Sequence, residues 1–363
     1  MRSRKVVLLG ATAVGLGAAA VGAYRATHPK DASGPVNPHR GPRRPVPDDL
    51  FDLPDGLVHH ELATPDGGTV HAVEKGEGRP LVLLHGITLR HDVWAPQLHQ
   101  LTDRYRVIAV DLRGHGTSVA GSAGYGIDRL ADDLATLLVG LDLHDAVVVG
   151  HSMGGMTAMR FAGQHPDVLA QRVAGLVFLA TRAHQVMPPY VDGAARALVG
   201  RGQAILEGGG TLPQRATITT SLARLAFGDH PSRKAVGIVA EMGRSISPEA
   251  LLPSLAGLLD HDARTALRAT QTPSLVVVGT RDVLTPVPAG RHLAHLLPYS
   301  EFVVLPRAGH QLMQERPDEV ADLLDAFVAR LEGDASSVAA AVADRPASDG
   351  DIQVEPGEPD AAG

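Results

Sequence analysis

Three residues of this chain have the types and the surroundings for nucleophilic chemistry. Ser152 sits in Val147-Val148-Val149-Gly150-His151-Ser152-Met153-Gly154-Gly155, where an apolar run enters a Gly-x-Ser-x-Gly turn and a helical pattern follows. A serine on so tight a turn is lifted above a sheet edge, and a side chain at either flanking glycine would clash. A hydroxyl is a weak nucleophile at neutral pH. It needs a base, and the base needs a partner that orients it. Asp282 follows Val276-Val277-Val278-Gly279-Thr280-Arg281, and His310 follows Val303-Val304-Leu305-Pro306-Arg307-Ala308-Gly309. Each lies just past an apolar run, so both fall at the carboxyl ends of strands, where ligands and catalytic groups collect in open α/β sheets. The run Val173–Leu179 leads instead into Thr181-Arg182-Ala183, which carries no carboxylate. A serine, an acid and a histidine so placed suit acyl transfer through a covalent intermediate.

That reaction also needs donors for the oxyanion. Leu83-Leu84-His85-Gly86-Ile87 follows an apolar run, and Gly86 lets the backbone turn an amide toward the serine. The amides of Ile87 and Met153 are the expected oxyanion hole. Losing one such donor costs on the order of 2.7–4 kcal/mol of transition-state stabilisation.

The elements that must hold these residues are legible as runs. Leu57–Thr64 and Thr69–Glu74 flank Pro65-Asp66-Gly67-Gly68 and predict an antiparallel hairpin. Six short apolar runs follow: Leu81–Leu84, Val107–Val110, Ala146–Val149, Val173–Leu179, Leu275–Val278 and Phe302–Leu305. Continuous rather than alternating runs mean burial on both faces, as in a parallel sheet covered by helices. Helical stretches such as Asp128–Leu141 and Met153–Gln164 fall between them. The expectation is a doubly wound α/β fold. Residues 182–270 break the rhythm with several helical stretches, which predicts a helical lid with Gly208-Gly209-Gly210 as its hinge.

Composition narrows the classes. The chain has 363 residues, 44% of them apolar and 3% aromatic, so a large core is built mainly from Leu, Val and Ala. So few aromatics argue against a base-stacking nucleic-acid binder. There is no cysteine, which excludes disulfides and thiolate catalysis. The net charge of −7 is unevenly spread: residues 1–46 hold eight Lys/Arg and one Asp, whereas residues 332–363 hold eight acids and one Arg. The acidic tail reads as a disordered appendage. Residues 28–54 read as a Pro-rich linker.

At the start, Arg2, Arg4 and Lys5 precede the uncharged run Val6–Tyr24. As a helix that run spans roughly 28 Å, close to a bilayer core of about 30 Å. Two readings stay open, a membrane anchor through residues 6–24 or a cleaved secretory signal. The length of the run favours the anchor.

Over about residues 55–331 the chain resembles the α/β-hydrolase superfamily. The resemblance is carried by His151–Gly155, the Asp282 loop and Ala308-Gly309-His310, which match the family's catalytic positions in the order serine, acid, histidine. Asp111-Leu112-Arg113-Gly114-His115-Gly116-Thr117-Ser118 is similar to its loop after the fourth strand, which gives Asp111 a structural part. The resemblance implies an eight-stranded, mostly parallel sheet and a serine hydrolase. Apolar stretches within residues 182–270, at Ala194–Leu198, Leu222–Phe227 and Leu251–Leu259, would face Ser152 and suit a small-molecule, apolar acyl or ester substrate. Similar sequences include esterases, lipases, carbon–carbon bond hydrolases and cofactor-free perhydrolases. A non-catalytic ligand-binding protein on the same scaffold is the remaining alternative. A serine at position 152 departs from the branches that form an alkyl ester on aspartate.

The expected chemistry needs no cofactor and no metal. His59 and His60 are neighbours on a strand, so their side chains point to opposite faces and cannot share one ion. His151 is expected to pack, pointing away from Ser152. Met153 and Met156 read as core, and His292 with His295 as a solvated face.

Overall fold

The computed structural model describes residues 45–333 except 185, 187–188 and 213–219. Eight strands form one sheet in the order β1-β2-β4-β3-β5-β6-β7-β8. They are β1 (Val58–Ala63), β2 (Thr69–Lys75), β3 (Arg79–Leu84), β4 (Tyr105–Val110), β5 (Ala146–His151), β6 (Val173–Leu179), β7 (Ser274–Gly279) and β8 (Ser300–Leu305). β2 pairs antiparallel with β1 and β4, and every later pairing is parallel. The expected hairpin and all six apolar runs are strands. β3, β4 and β8 each start two residues earlier than the runs, because Arg79, Tyr105 and Ser300 pair with the neighbouring strand although they are not aliphatic.

Each central strand feeds two cores. In β3, Val82 and Leu84 face one core while Leu81 and Leu83 face the other. In β5, Val148 alternates in the same way with Val147 and Val149. This is period-two geometry with both faces covered, the physical reason the runs are continuous. Helices Ile127–Gly140, Met153–Gln164 and Val287–Leu296 cover the first face. Helices Ala95–Leu101 and Pro317–Gly333 cover the second, whose core also holds the fully buried Trp94. Gly175 in β6 leaves room for the last helix, since a Cβ there would lie 2.6 Å from the Phe327 ring.

Between β6 and β7 the chain forms helices Pro189–Glu207, Thr220–Ala223, Arg233–Ser245, Pro248–Leu259 and Arg264–Ala269. Part of the apolar surface expected to face a site is spent on helix packing. Ala195 and Val199 pack on Leu259, and Phe227 is buried in the second core. Gly209 has φ 73°, a left-handed turn that ends the first of these helices.

Two expectations about the ends change. Residues 45–54, read as linker, pack on the body. Phe51 is buried in the second core, Lys234 Nζ meets Asp52 Oδ2 at 2.6 Å, and His99 Nε2 donates to the Asp52 carbonyl at 2.9 Å. The aromatic at 51, on a 3₁₀ turn among acids, outweighs the proline signal. The expectation of a membrane-anchored chain is corrected too. Among the described residues no helix is long and apolar enough to cross a membrane. The longest, Pro189–Glu207, is interrupted by Asp192, Arg196 and Arg201. Residues 6–24, on which both the anchor and the signal reading rested, lie outside the described residues, as does the tail from 334.

The loop after β4 is fixed by a buried cation. Arg113 meets Asp133 at 2.6 Å and Asp66 at 2.5 Å, tying the β4 loop to the helix Ile127–Gly140 and to the β1–β2 turn. Asp133 is itself buried. Breaking such a pair from one side leaves an uncompensated buried charge, which costs about 3–5 kcal/mol. Arg113→Ala is expected to lose stability of that order in urea unfolding. A loss within about 0.5 kcal/mol would show that water, rather than Arg113, satisfies the two carboxylates.

Candidate active site

Ser152 has φ 51° and ψ −114°, outside the regions that L-residues favour. The strain of such a residue persists only where its surroundings over-determine it, and here they do. Its amide donates to the Leu179 carbonyl at 3.0 Å, and its carbonyl accepts from Thr181 Oγ1 at 2.8 Å. A Cβ at Gly150 would lie 2.5 Å from the Gly154 carbonyl oxygen, and one at Gly154 would lie 2.3 Å from the Leu84 carbonyl oxygen. Both flanking glycines are therefore sterically required. Helix Met153–Gln164 starts immediately after the serine and brings its positive end there.

Asp282 and His310 meet at the same sheet edge, beyond β7 and β8. His310 Nδ1 donates to Asp282 Oδ2 at 2.8 Å, and both residues are buried. A carboxylate only accepts, so this contact puts the proton on Nδ1 and leaves the lone pair on Nε2. The acid is held on all sides. Its Oδ1 accepts the amides of Leu284 at 2.8 Å and Thr285 at 2.9 Å. Its Oδ2 also accepts Thr285 Oγ1 at 2.5 Å. Thr285 was not picked out from the sequence, although Asp-x-x-Thr after a strand is a legible local turn signal.

The third approach comes from β3. A Cβ at Gly86 would lie 3.1 Å from Ser152 Cβ and 2.9 Å from His151 Nδ1. The loop carrying Ile87 thus runs against the elbow, because Gly86 has no side chain. Ile87 follows this contact, and Met153 is the first residue of the helix, whose leading amides have no intrahelical acceptor.

Burial makes two nearby histidines weaker proton acceptors. His151 is buried, and burial followed by the proximity of His310 holds it well below its ordinary value. Burial pushes His85 down to about 3. Neither ring readily carries the proton a base must accept. His151 does more than pack, however. Its Nε2 donates to the His310 carbonyl at 2.9 Å, and the two rings lie 4.8 Å apart. The residue beside the serine thus holds the backbone of His310, a long-range contact that no spacing rule reveals.

The His310 loop is pinned from the other side as well. Its amide donates to the Ala226 carbonyl at 2.7 Å, and the Asp229 amide donates to the Arg307 carbonyl at 3.1 Å. Glu315 clamps the two segments, accepting from Gly228 N at 2.7 Å and from Gly309 N at 3.0 Å. Burial pushes this carboxyl up to about 7, against the lowering effect of those amides.

Glu315 sets a pH prediction. Its folded value lies above the ordinary 4.5, so the folded chain binds this proton more tightly than the unfolded chain. The stability it contributes is fully present below the unfolded value and is lost as pH rises through about 7. Between pH 5 and 8, wild-type stability should therefore fall relative to Glu315→Gln, by on the order of 2 kcal/mol. Urea midpoints at the two pH values check this. Parallel pH curves for the two proteins would mean that the carboxyl stays ionised throughout.

Comparisons with known proteins identify the family. Over 238 residues, 65% of this chain and 88% of the relative, it is 34% identical to a pimeloyl-[acyl-carrier protein] methyl ester esterase of Chromobacterium violaceum. It is 32% identical over 259 residues to a non-heme chloroperoxidase of Kitasatospora aureofaciens, covering 68% of this chain and 90% of that protein. A solved thermophilic esterase from Thermogutta terrifontis superposes with a TM-score of 0.65 at 28% identity, covering 76% of this chain and 99% of that one. The family model for the alpha/beta hydrolase fold matches residues 79–317. That span contains the strained serine, the acid and the histidine, and the chain belongs to the α/β-hydrolase family.

Proposed function

We propose that this hydrolase cleaves a carboxylic ester or related acyl compound through an acyl-enzyme on Ser152. His310 takes the hydroxyl proton as Ser152 attacks the carbonyl carbon. Asp282 holds the imidazole and stabilises its cation, and the amides of Ile87 and Met153 receive the oxyanion. The alcohol leaves with the proton from His310, and water, deprotonated by the same imidazole, releases the acid. One observation carries the reading: the 2.8 Å contact between His310 Nδ1 and Asp282 at the sheet edge that carries the strained serine. The esterase names of two of the relatives are consistent with it.

A fluorophosphonate probe is expected to label the wild-type protein and to leave Ser152→Ala unlabelled. Asp282→Asn should keep the fold and lower kcat by about 10⁴, as loss of the orienting acid does in other triads. Equal labelling of wild type and Ser152→Ala would remove the serine from the mechanism.

A second reading has one specific support, the relative named as a chloroperoxidase. Hydrogen peroxide in place of water would release a peracid from the same acyl-enzyme, with no other change in the steps. Assaying peracid release from an ester in the presence of peroxide separates the two.

We further propose that the helices between β6 and β7 form a lid over Ser152 and select apolar acyl chains. Support comes from the segment Ala226–Asp229, which is bonded directly to the His310 loop, and from Ile87, which packs on the first core. On nitrophenyl esters, kcat/KM should rise from acetate to hexanoate by about tenfold or more, since each buried methylene is worth about 0.8 kcal/mol. A preference for acetate or for charged esters would refute the apolar lid.

A further inference from the structure

Away from the serine, three side chains converge behind the β3 and β4 loops. Asp111, at the end of β4, is fully buried. His71 Nδ1 lies 3.1 Å from its Oδ2, and His91 Nδ1 lies 3.0 Å from its Oδ1. The three ligand atoms all fall within 4.8 Å of one another. The carboxylate is also fixed by the backbone, accepting His91 N at 2.8 Å and Thr117 N at 3.0 Å.

Asp111 is thus a fully buried carboxylate faced by two imidazole nitrogens from different parts of the chain, one on each oxygen. A buried carboxylate is stable only where it is hydrogen-bonded, paired or bound to a metal.

From this cluster we propose a divalent transition-metal site of the zinc class, with His71 Nδ1, His91 Nδ1 and an Asp111 oxygen as its three protein ligands. Imidazole nitrogens with one carboxylate are borderline donors that suit such ions. Ligands about 2.0–2.1 Å from zinc stand roughly 3.3 Å apart at a tetrahedral angle; here the three atoms lie within 4.8 Å of one another, with His71 Nδ1 on Oδ2 and His91 Nδ1 on Oδ1, so the rings would close in slightly on one shared ion. The ion replaces the two Nδ1 protons. In each ring the proton moves to Nε2, so no redox change is involved. His59 Nδ1 stands 3.1 Å from His71 Nε2 and accepts that proton, as an outer partner of a ligating histidine does. A cavity of about 300 Å³, lined by Thr88, Arg90, His91, Asp92, Asp111 and His115, lies against the cluster and gives a fourth ligand, water or an anion, room to bind.

Such an ion would tie β2, the β4 loop and the loop that carries Ile87 into one unit. The site stands apart from the Ser152 chemistry, so its test needs no turnover. The metal-stripped full-length protein is dialysed against zinc at pH 7.5, and retained metal is measured by elemental analysis. Wild type should retain one equivalent that both His91→Ala and His71→Gln lose, with affinity at least tenfold lower in each. Zinc should raise the thermal midpoint of wild type and leave that of His91→Ala unchanged. His99→Ala, an exposed histidine outside the cluster, should behave as wild type. With cobalt, wild type alone should show the visible absorption of a tetrahedral site. Equal zinc retention in wild type and His91→Ala, or none in wild type, overturns the site. Because His91 is only partly buried, its variant keeps the test open even where His71→Gln unfolds.

Discussion

The arrangement of the sheet's carboxyl edge turns on the strained backbone of Ser152. A non-glycine residue at φ 51° with β-sheet on one side and helix on the other is unfavourable in isolation. It is held because no atom nearby has room to move. Gly150, Gly154 and Gly86 each sit where a Cβ would strike a neighbour, and β6 bonds the serine amide directly. The parallel sheet makes this work by placing β3, β5 and β6 side by side. Their carboxyl ends then deliver the glycine loop, the serine and the anchoring carbonyl to one edge.

The histidine loop shows how distant segments share one task. His310 comes from beyond β8, yet its backbone is bonded by His151 beside the serine and by Ala226 between β6 and β7. Its ring is bonded by Asp282 from beyond β7. Glu315 ties two of these segments together through amides. The position of the His310 ring is thus distributed over four stretches of chain. Any motion of the helices between β6 and β7 is coupled by hydrogen bonds to the loop of His310.

Asp111 plays a comparable part on the far side of the β3 loop. It gathers the β2 strand, the His91 turn and its own loop through one carboxylate, while Arg113 two residues on gathers Asp66 and Asp133. Two buried charged centres therefore fix the loop after β4, and His91 ties it to the segment that follows Gly86 and Ile87.

The sheet and the local turn at the serine were legible along the chain. Burial on both faces writes continuous apolar runs, and a sterically closed turn writes glycines at fixed spacing. Both are properties of neighbours along the chain. Asp282 and His310 were legible for the same reason, since each sits at a strand end. Residues 45–54 misled, because prolines and acids dominate the composition while one aromatic, Phe51, decides the packing. Only the tertiary structure decided the parts of His151, Thr285, Glu315 and Ala226, and the meeting of His71 with His91 and Asp111. Those contacts span up to 159 residues of chain. Their partners are carbonyls and amides, which every residue carries, or histidines that spacing had no reason to join. A backbone group has no signature in the sequence, so its use becomes visible only when the fold brings it to a side chain.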